Sequence, residues 1–193
     1  MNILAHAYLS ADDEEIKIGN FIADGIHGHP LDFSPGIIKG IVLHRAIDAF
    51  TDVHPVFRQG TKRLHPVYHH YASVIMDIFY DHFLAKNWHR YHTTPLEEFA
   101  AGFYSLLQDN YDILPPRNQS MLPHMIAHNW LVNYAKPEGV ARTLSQLDRR
   151  TKYDSGMANA INELEEYYNE YEEEFHTFFT EISAFVKEKK KAL

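Results

Sequence analysis

Apolar residues recur along this chain at the three- and four-residue spacing of amphipathic helices, and alternating strand patterns with hairpin turns are absent. Glycine and proline separate the helical segments. The pattern predicts an all-α fold, a multi-helix bundle that forms a single domain over residues 1–193. The predicted helices cover residues 2–10, 12–26, 35–52, 55–69, 71–88, 96–110, 121–134, 137–147 and 158–191.

The segment 35–52 carries polar residues inside an apolar helical stripe. At 100° per residue, His44 and Asp48 fall within about 20° of Ile37, so they continue the stripe that Ile37 begins. Asp52 lies at the edge of the same stripe. A carboxylate on a buried helix face is costly unless a cation or hydrogen-bond donors compensate it. The segment therefore indicates a bound cation.

Other segments repeat this arrangement. Asp77 and Asp81 lie four residues apart on one apolar face, where like charges repel each other. Asn20 and Asp24 form a further pair at the edge of an apolar face, and His6 stands alone among apolar neighbours. Several helices with such residues predict one polar centre inside the bundle.

Structural alternatives exist for these residues. For His44 and Asp48, the alternative is a core histidine bonded to the carboxylate one turn away. For His6 it is a hydrogen-bonded core histidine, and for Asn20 with Asp24 it is a pair of polar groups at a helix end. The pair Asp77 and Asp81 has the weakest structural explanation, because no partner is evident in the sequence.

Composition excludes several functional classes. The net charge of −8 disfavours generic nucleic-acid binding. We expect no membrane span and no signal peptide, because no apolar run is long enough and no basic leader precedes one. The chain has no cysteine, which excludes disulfides and thiolate catalysis and predicts a cytoplasmic location.

The remaining chemistry is that of aspartate and histidine. The chain lacks a Gly-x-Ser-x-Gly motif, a phosphate-binding loop and a dinucleotide-binding glycine pattern. Hard oxygen donors with a few imidazoles favour Mn²⁺ or Mg²⁺, with Fe or Zn as alternatives. Such a metal activates water and neutralises charge on a phosphoryl oxygen. His124 and His128 also share a helical face, and we assign them a structural or substrate-facing role.

Four segments resemble the acyl carrier protein phosphodiesterases, also called acyl carrier protein hydrolases. They are MNILAH at 1–6, GNFIAD at 19–24, HRAIDAFTD at 44–52 and DIFYDHFL at 77–84. Their order and spacing agree with that family as far as Trp88. The resemblance implies a helical fold related to the HD-type metal phosphohydrolases. That class is named for an adjacent His-Asp pair, whereas this chain has His44 with Asp48 and the reversed Asp81-His82.

The resemblance also implies an activity and a site. The activity is Mn²⁺-dependent hydrolysis of the phosphodiester that joins 4′-phosphopantetheine to a serine of holo-acyl carrier protein, which gives the apo form. We expect metal binding by a subset of six residues, namely His6, Asp24, His44, Asp48, Asp77 and Asp81. We expect Asn20, Asp52 and His82 to surround these ligands, and Asp24, His82 and Arg45 to have catalytic roles.

In this mechanism water attacks phosphorus without a covalent intermediate, His82 gives a proton to the leaving serine oxygen, and Arg45 reaches the phosphate. The resemblance implies an acidic helical partner, so an acidic enzyme needs a local positive patch. The predicted docking residues are Arg58, Lys62 and Arg63. The alternative docking surface comprises Arg149, Arg150 and Lys152.

Two other functions are compatible with the same residues. One is the same metal phosphohydrolase fold acting on a nucleotide or another small phosphoester. The other is a helical binding protein without enzymatic activity, in which the polar core is structural. An assay that compares phosphopantetheine release from holo carrier protein with hydrolysis of a nucleotide panel distinguishes the first alternative from the carrier-protein activity. Metal analysis of the purified protein distinguishes the second alternative, because the absence of any bound or activating metal would support a non-enzymatic protein.

Overall fold

Helices make up the regular structure of residues 2–28, 32–152 and 154–193, the parts of the chain that the computed structural model describes. These parts contain no strand, so the predicted all-α fold is confirmed. None of their helices combines the length and the apolar character needed to cross a membrane. The α-helices are α1 (Ile3–Leu9), α2 (Glu14–Ile22), α3 (Pro35–Val53), α4 (Pro55–Tyr68), α5 (Ala72–Lys86), α6 (Leu96–Asp109), α7 (Pro116–Ala127), α8 (Trp130–Asn133), α9 (Pro137–Asp148), α10 (Ile161–Glu166) and α11 (Tyr168–Lys191).

The start of α2 differs from the sequence prediction. The helix begins at Glu14, two residues after the predicted start, and the carboxylate of Asp13 caps it by accepting a hydrogen bond of 3.0 Å from the Ile16 amide. The carboxylate of Glu15 accepts a 2.6 Å hydrogen bond from Ser34 Oγ at the start of α3. The helix ends at Ile22 and continues as a 3₁₀ turn over Ala23–Gly25.

Two predicted helices are each divided in the structure. The predicted helix 121–134 begins earlier, at Pro116, and is broken at Asn129, which adopts a left-handed conformation with φ of 40°. The predicted helix 158–191 is broken at Tyr167 into α10 and α11. In both segments the apolar periodicity continues across the break, so the sequence pattern does not reveal it.

The apolar core spans most of the chain. Helix α11 contributes a run of aromatic side chains, and Phe175, Phe178 and Phe179 are at most 1% exposed. Phe178 contacts the rings of Phe57 on α4 and Tyr80 on α5, with centroid distances of 6.1 Å and 5.1 Å. The C-terminal helix therefore joins the central helices α4 and α5 from one side.

Helices α2 and α3 make the closest backbone contact that bears on the site. They cross at Gly19 and Gly40, where a β-carbon built on Gly40 would lie 2.8 Å from Gly19 Cα and 2.9 Å from the Asn20 amide nitrogen. It would also collide with the carbonyl oxygen of Ile16. Any side chain at this crossing would push the two backbones apart. The crossing therefore sets the distance between the polar residues that follow each glycine.

We expect Gly40→Ala to lower the free energy of unfolding by about 2–3 kcal/mol or more, because the clash is with backbone atoms that cannot rotate away. Gly102→Ala is the matched control. A β-carbon at Gly102 meets nothing within 4 Å, and alanine in the exposed interior of α6 should stabilise the protein by about 0.5–1 kcal/mol. Urea unfolding measures both variants. Equal effects of the two substitutions would contradict the close crossing.

Candidate metal centre

Asn20 connects two buried histidines from different helices. Its side-chain amide nitrogen donates to the His6 carbonyl oxygen at 3.1 Å and to Ser10 Oγ at 3.0 Å. Its Oδ1 atom therefore faces the imidazoles, and it accepts hydrogen bonds from Nδ1 of His6 at 2.7 Å and Nδ1 of His44 at 3.0 Å. With the proton on Nδ1 in both rings, both Nε2 atoms are directed away from Asn20.

The two imidazoles stack on each other and direct their Nε2 atoms towards carboxylates. The ring centroids of His6 and His44 are 4.1 Å apart. His44 Nε2 lies 3.0 Å from Asp48 Oδ2 and 3.1 Å from Asp24 Oδ1. His6 Nε2 lies 3.2 Å from Asp48 Oδ1. Asp48 therefore bridges the two histidines from the next turn of α3.

His6 Nε2 is the atom that best indicates a metal ion. It is buried, and no hydrogen-bond partner in suitable geometry lies among the described residues, although Asp48 Oδ1 is 3.2 Å away. Ligand atoms of His6, His44 and Asp48 all lie within 4.8 Å of one another. Two imidazole nitrogens and a carboxylate oxygen are suitable donors for a divalent transition metal. The donor set thus fits the predicted cofactor.

The two histidines have opposite protonation tendencies. Burial lowers the pKa of His6 to about 4, so its imidazole is neutral at pH 7, as a metal ligand must be. Burial alone would also lower the pKa of His44, but the carboxylates of Asp24 and Asp48 outweigh it and raise the pKa to about 9. The pKa of Asp48 lies well below its usual range, because its contacts with both histidines outweigh burial. Without a metal, a proton on His44 supplies the positive charge that these carboxylates require.

A cavity of about 330 Å³ opens beside this cluster. Its lining includes His6 from α1, the α2 residues Lys17 and Asn20, Asp24 from the 3₁₀ turn, three residues of α3 (His44, Asp48 and Asp52), and Asp77 from α5. Five of the six predicted ligands therefore reach one pocket, together with Asn20 and Asp52. Burial raises the pKa of the Asp77 carboxyl. The pocket has four carboxylates, which a bound cation would hold together.

Asp81 and His82 do not line this pocket, contrary to the prediction. Asp81 is fully buried, and its carboxylate accepts hydrogen bonds from the amides of Leu4 at 2.8 Å and Ala5 at 3.2 Å. It thus anchors the first turn of α1. The His82 ring nitrogens lie 2.7 Å from the Tyr134 carbonyl oxygen and 2.8 Å from the Tyr168 hydroxyl. Both residues support the packing around the site rather than the pocket itself.

Two predicted arginines are also engaged elsewhere. Arg45 does not line the pocket, and its guanidinium donates to the carbonyl oxygens of Ile26 and Gly28, each at 3.0 Å. Arg63 forms a 2.8 Å ion pair with the buried Glu174. Its side chain is therefore not available to the predicted docking patch of Arg58, Lys62 and Arg63. Its guanidinium also lies 4.7 Å from the centre of the Tyr171 ring.

The other predicted docking residues remain on the surface. Arg58 and Lys62 are exposed, and Arg58 Nε donates to the Asp52 carbonyl oxygen at 2.8 Å. His124 and His128, the pair with metal-ligand spacing, are both exposed. Neither lines the candidate metal pocket.

Sequence reasoning missed Lys17 as a pocket residue. Lys17 precedes Asn20 by three residues on α2, so the helical face that carries Asn20 also carries this lysine. That spacing could have identified it. Leu147 of α9 also lines the pocket, but no local pattern in the sequence relates it to residues more than a hundred positions earlier.

The family model and the relatives that match this chain carry the same family name. The model of the acyl carrier protein phosphodiesterase family matches residues 1–182. Relatives of that name from Yersinia enterocolitica and Pectobacterium atrosepticum are each 27% identical, over 98% and 97% of this chain and 99% and 98% of the relative. The relative from Yersinia pestis is 29% identical over 93% of this chain and 94% of its own length. No solved structure matches the chain, so the similarity to HD-type phosphohydrolases stays a prediction.

The raised pKa of His44 predicts how stability depends on pH when a chelator keeps divalent metals away. The folded pKa of about 9 exceeds the unfolded value of about 6.5, so the stabilisation is complete below pH 6.5 and is lost as pH rises through 9. We expect a loss of about 1–2 kcal/mol, since the exposed side chain of Asp24 weakens the effect by solvent screening.

Urea unfolding at pH 6.5, 7.5 and 9 measures this loss. His44→Gln should remove the decline, whereas His124→Gln, at an exposed position, should leave it unchanged. A decline of equal size in the His44→Gln variant would refute the assignment to His44.

Proposed function

This chain belongs to the acyl carrier protein phosphodiesterase family, and from this premise we propose that it hydrolyses holo-acyl carrier protein with the help of a divalent metal. The substrate bond is the phosphodiester between 4′-phosphopantetheine and a serine of the carrier protein. The observation that carries the proposal is the cluster of His6, His44 and Asp48 on one pocket wall. All three residues lie in the part of the chain that the family match covers.

The metal ligands in this proposal are His6 Nε2, His44 Nε2 and a carboxylate oxygen of Asp48, with Asp24 beside them. Asn20 orients both imidazoles, because its Oδ1 accepts from both Nδ1 atoms. Mn²⁺ or Mg²⁺ suits a site with several carboxylates, and Fe or Zn suits the two imidazoles. A cation held by these residues would supply activation of water as a nucleophile and neutralisation of charge on the phosphoryl oxygens.

The reaction balances as a hydrolysis. Water adds to phosphorus, the bond from phosphorus to the serine oxygen breaks, and that oxygen leaves with a proton. The products are the apo carrier protein and 4′-phosphopantetheine. His82 is not available as the proton donor, because it lies outside the pocket. Asp77 takes this role in the proposal, since it lines the pocket and burial favours the protonated form of its carboxyl.

Lys17 gives the pocket a positive side chain that can hold a phosphate oxygen. It lines the pocket on α2, but its ammonium group lies 5.6 Å from the centre of the Phe99 ring, which is outside the lining, so the side chain must turn inward to reach a phosphate oxygen. The pocket otherwise carries four carboxylates, which repel an anionic substrate. The proposal therefore assigns to Lys17, together with the cation, the attraction of the phosphodiester.

We place the carrier protein over the pocket edge formed by Asp52 and Val74. Val53 and Val74 are large apolar side chains that are 60% and 39% exposed. Arg58 contacts the Asp52 backbone, and Lys62 follows one turn later on α4. An acidic helical partner matches this combination of apolar and positive groups. The cytoplasmic location predicted from the sequence suits such a partner.

Two substitutions distinguish a metal ligand from a structural carboxylate. Asp48→Ala should weaken Mn²⁺ binding and turnover by at least about a hundredfold while circular dichroism shows unchanged helix content. Asp81→Ala should weaken Mn²⁺ binding much less than Asp48→Ala does, and it should lower the free energy of unfolding by about 1–3 kcal/mol, because two buried amides lose their acceptor.

Titration calorimetry with Mn²⁺, release of phosphopantetheine and urea unfolding measure these effects. Metal binding that depends on Asp81 rather than Asp48 would reverse the assignment. Wild-type protein that binds no divalent metal would support a non-enzymatic helical module. Metal-dependent hydrolysis of a nucleotide panel, with holo carrier protein left intact, would support another phosphoesterase.

The docking prediction requires a double charge reversal that leaves Arg63 and its buried ion pair intact. Arg58→Glu with Lys62→Glu should raise KM for holo carrier protein about tenfold and leave the hydrolysis rate of a small phosphodiester unchanged. Added salt should raise KM of the wild type in the same direction, because salt screens exposed charges.

Lys39→Glu with Lys187→Glu is the matched control, since it changes net charge equally at two exposed positions outside the pocket. If KM for holo carrier protein is unchanged in the Arg58 and Lys62 double variant, these two residues do not form the docking surface. Arg149, Arg150 and Lys152 would then be the residues to reverse.

A further inference from the structure

A second cavity, of about 150 Å³, adjoins the candidate metal pocket. Asn2, Ile3, Phe21, Asp24 and Leu147 line both cavities. These five residues form a shared wall, so the two cavities lie next to each other.

Beyond the shared wall, the second cavity is built by the helices α7, α8 and α9. Its lining contains apolar groups, such as Met121 and Trp130, and the uncharged polar groups Thr143 and Gln146. Gln146 is partly exposed, and its side-chain amide forms part of this lining. Among the described lining residues, Asp24 in the shared wall is the one carboxylate. Since Arg117 and Arg150 also belong to the lining, the cavity disfavours a cation and suits a flexible chain with polar groups.

Asn118 contributes a buried acceptor that lacks a donor. The residue is 5% exposed, and its Nδ2 atom donates to the Phe21 carbonyl oxygen at 3.1 Å. Its Oδ1 atom has no hydrogen-bond partner among the described residues. This oxygen faces Gly25, another lining residue, because a β-carbon there would lie 3.4 Å from it. A buried acceptor without a donor is costly, so a ligand N–H or O–H group at this point is favourable.

We propose that the second cavity binds the pantetheine portion of the substrate while its phosphodiester lies at the metal centre. This inference rests on the proposed function. The pantetheine chain has geminal methyl groups, a hydroxyl and two amides in sequence from the phosphate. Its apolar segments match Met121 and Trp130, and its amides match the unpartnered Oδ1 atom of Asn118 and the side-chain amide of Gln146. The carrier protein then lies at the opposite edge, near Asp52 and Val74.

Arg117 and Arg150 also line the second cavity, and their charge favours an anion. Binding experiments therefore compare three probes, namely 4′-phosphopantetheine, pantetheine without phosphate, and inorganic phosphate. If the cavity recognises the chain itself, pantetheine should bind, and 4′-phosphopantetheine should bind more tightly. Inorganic phosphate should not reproduce the effect.

Intrinsic fluorescence in a buffer with Mn²⁺ reports this binding. The chain has two tryptophans, of which Trp130 lines the cavity and Trp88 is buried elsewhere. Pantetheine should change the fluorescence of the wild type, and Trp130→Phe should remove the change. Gln146→Leu should weaken pantetheine binding about three- to tenfold, the loss expected for one hydrogen bond. Gln108→Leu, at an exposed position on α6, is the matched control and should bind as the wild type does.

Enzyme kinetics distinguish a failure of this inference from a failure of the proposed function. Gln146→Trp, which narrows the cavity, should raise KM for holo carrier protein at least about tenfold while a small phosphodiester without the chain is hydrolysed at the original rate. Active wild type with unchanged KM in Gln146→Trp would overturn the inference alone. The inference would also be overturned if inorganic phosphate reproduced the fluorescence change and pantetheine caused none. A wild type that cannot hydrolyse holo carrier protein but binds pantetheine at Trp130 would overturn the proposed function and leave the cavity assignment intact.

Discussion

The contact between α2 and α3 at Gly19 and Gly40 is the constraint on which the candidate site depends. Because neither position has a side chain, the two backbones approach until Gly40 faces the Asn20 amide. Asn20 follows Gly19 directly, and His44 follows Gly40 by one helical turn. The crossing therefore brings the carboxamide of Asn20 within 3.0 Å of the His44 ring. A larger residue at either glycine would separate the groups that the centre requires.

This centre combines groups that are unfavourable when taken singly. His6 has a buried Nε2 atom, and beside it on the pocket wall stands Asp48, a partly exposed carboxylate that requires a positive charge nearby. Together with His44 they compensate one another, either through a proton on His44 or through a metal ion in the same position. The same arrangement thus explains why the fold tolerates these residues and why they are suited to hydrolytic chemistry. Asn20 completes it because its Oδ1 atom accepts from Nδ1 of both imidazoles and so orients both rings.

The two halves of the chain contribute different parts of the substrate site that we propose. The N-terminal half supplies the ligands, and α5 supplies Asp77 to the pocket wall. The helices α7 to α9 supply the adjoining cavity, in which Trp130 and Gln146 stand beyond the shared wall. Asp81, one turn after Asp77, holds the first turn of α1 and with it the helix that carries His6. One carboxylate of α5 therefore shapes the pocket and the next stabilises the helix beside it.

The sequence by itself determined the helical class and most of the polar residues that meet at the pocket. Helical periodicity is a local property, so the pairs His44 with Asp48 and Asn20 with Asp24 could be recognised as neighbours on one face. Only the tertiary structure decided which distant groups those faces meet. Asp81 meets the free amides at the start of α1, and Arg63 meets Glu174, because helix packing brings together residues far apart in the chain. Side-chain spacing within one helix cannot encode such contacts, since each depends on the position and rotation of a second helix.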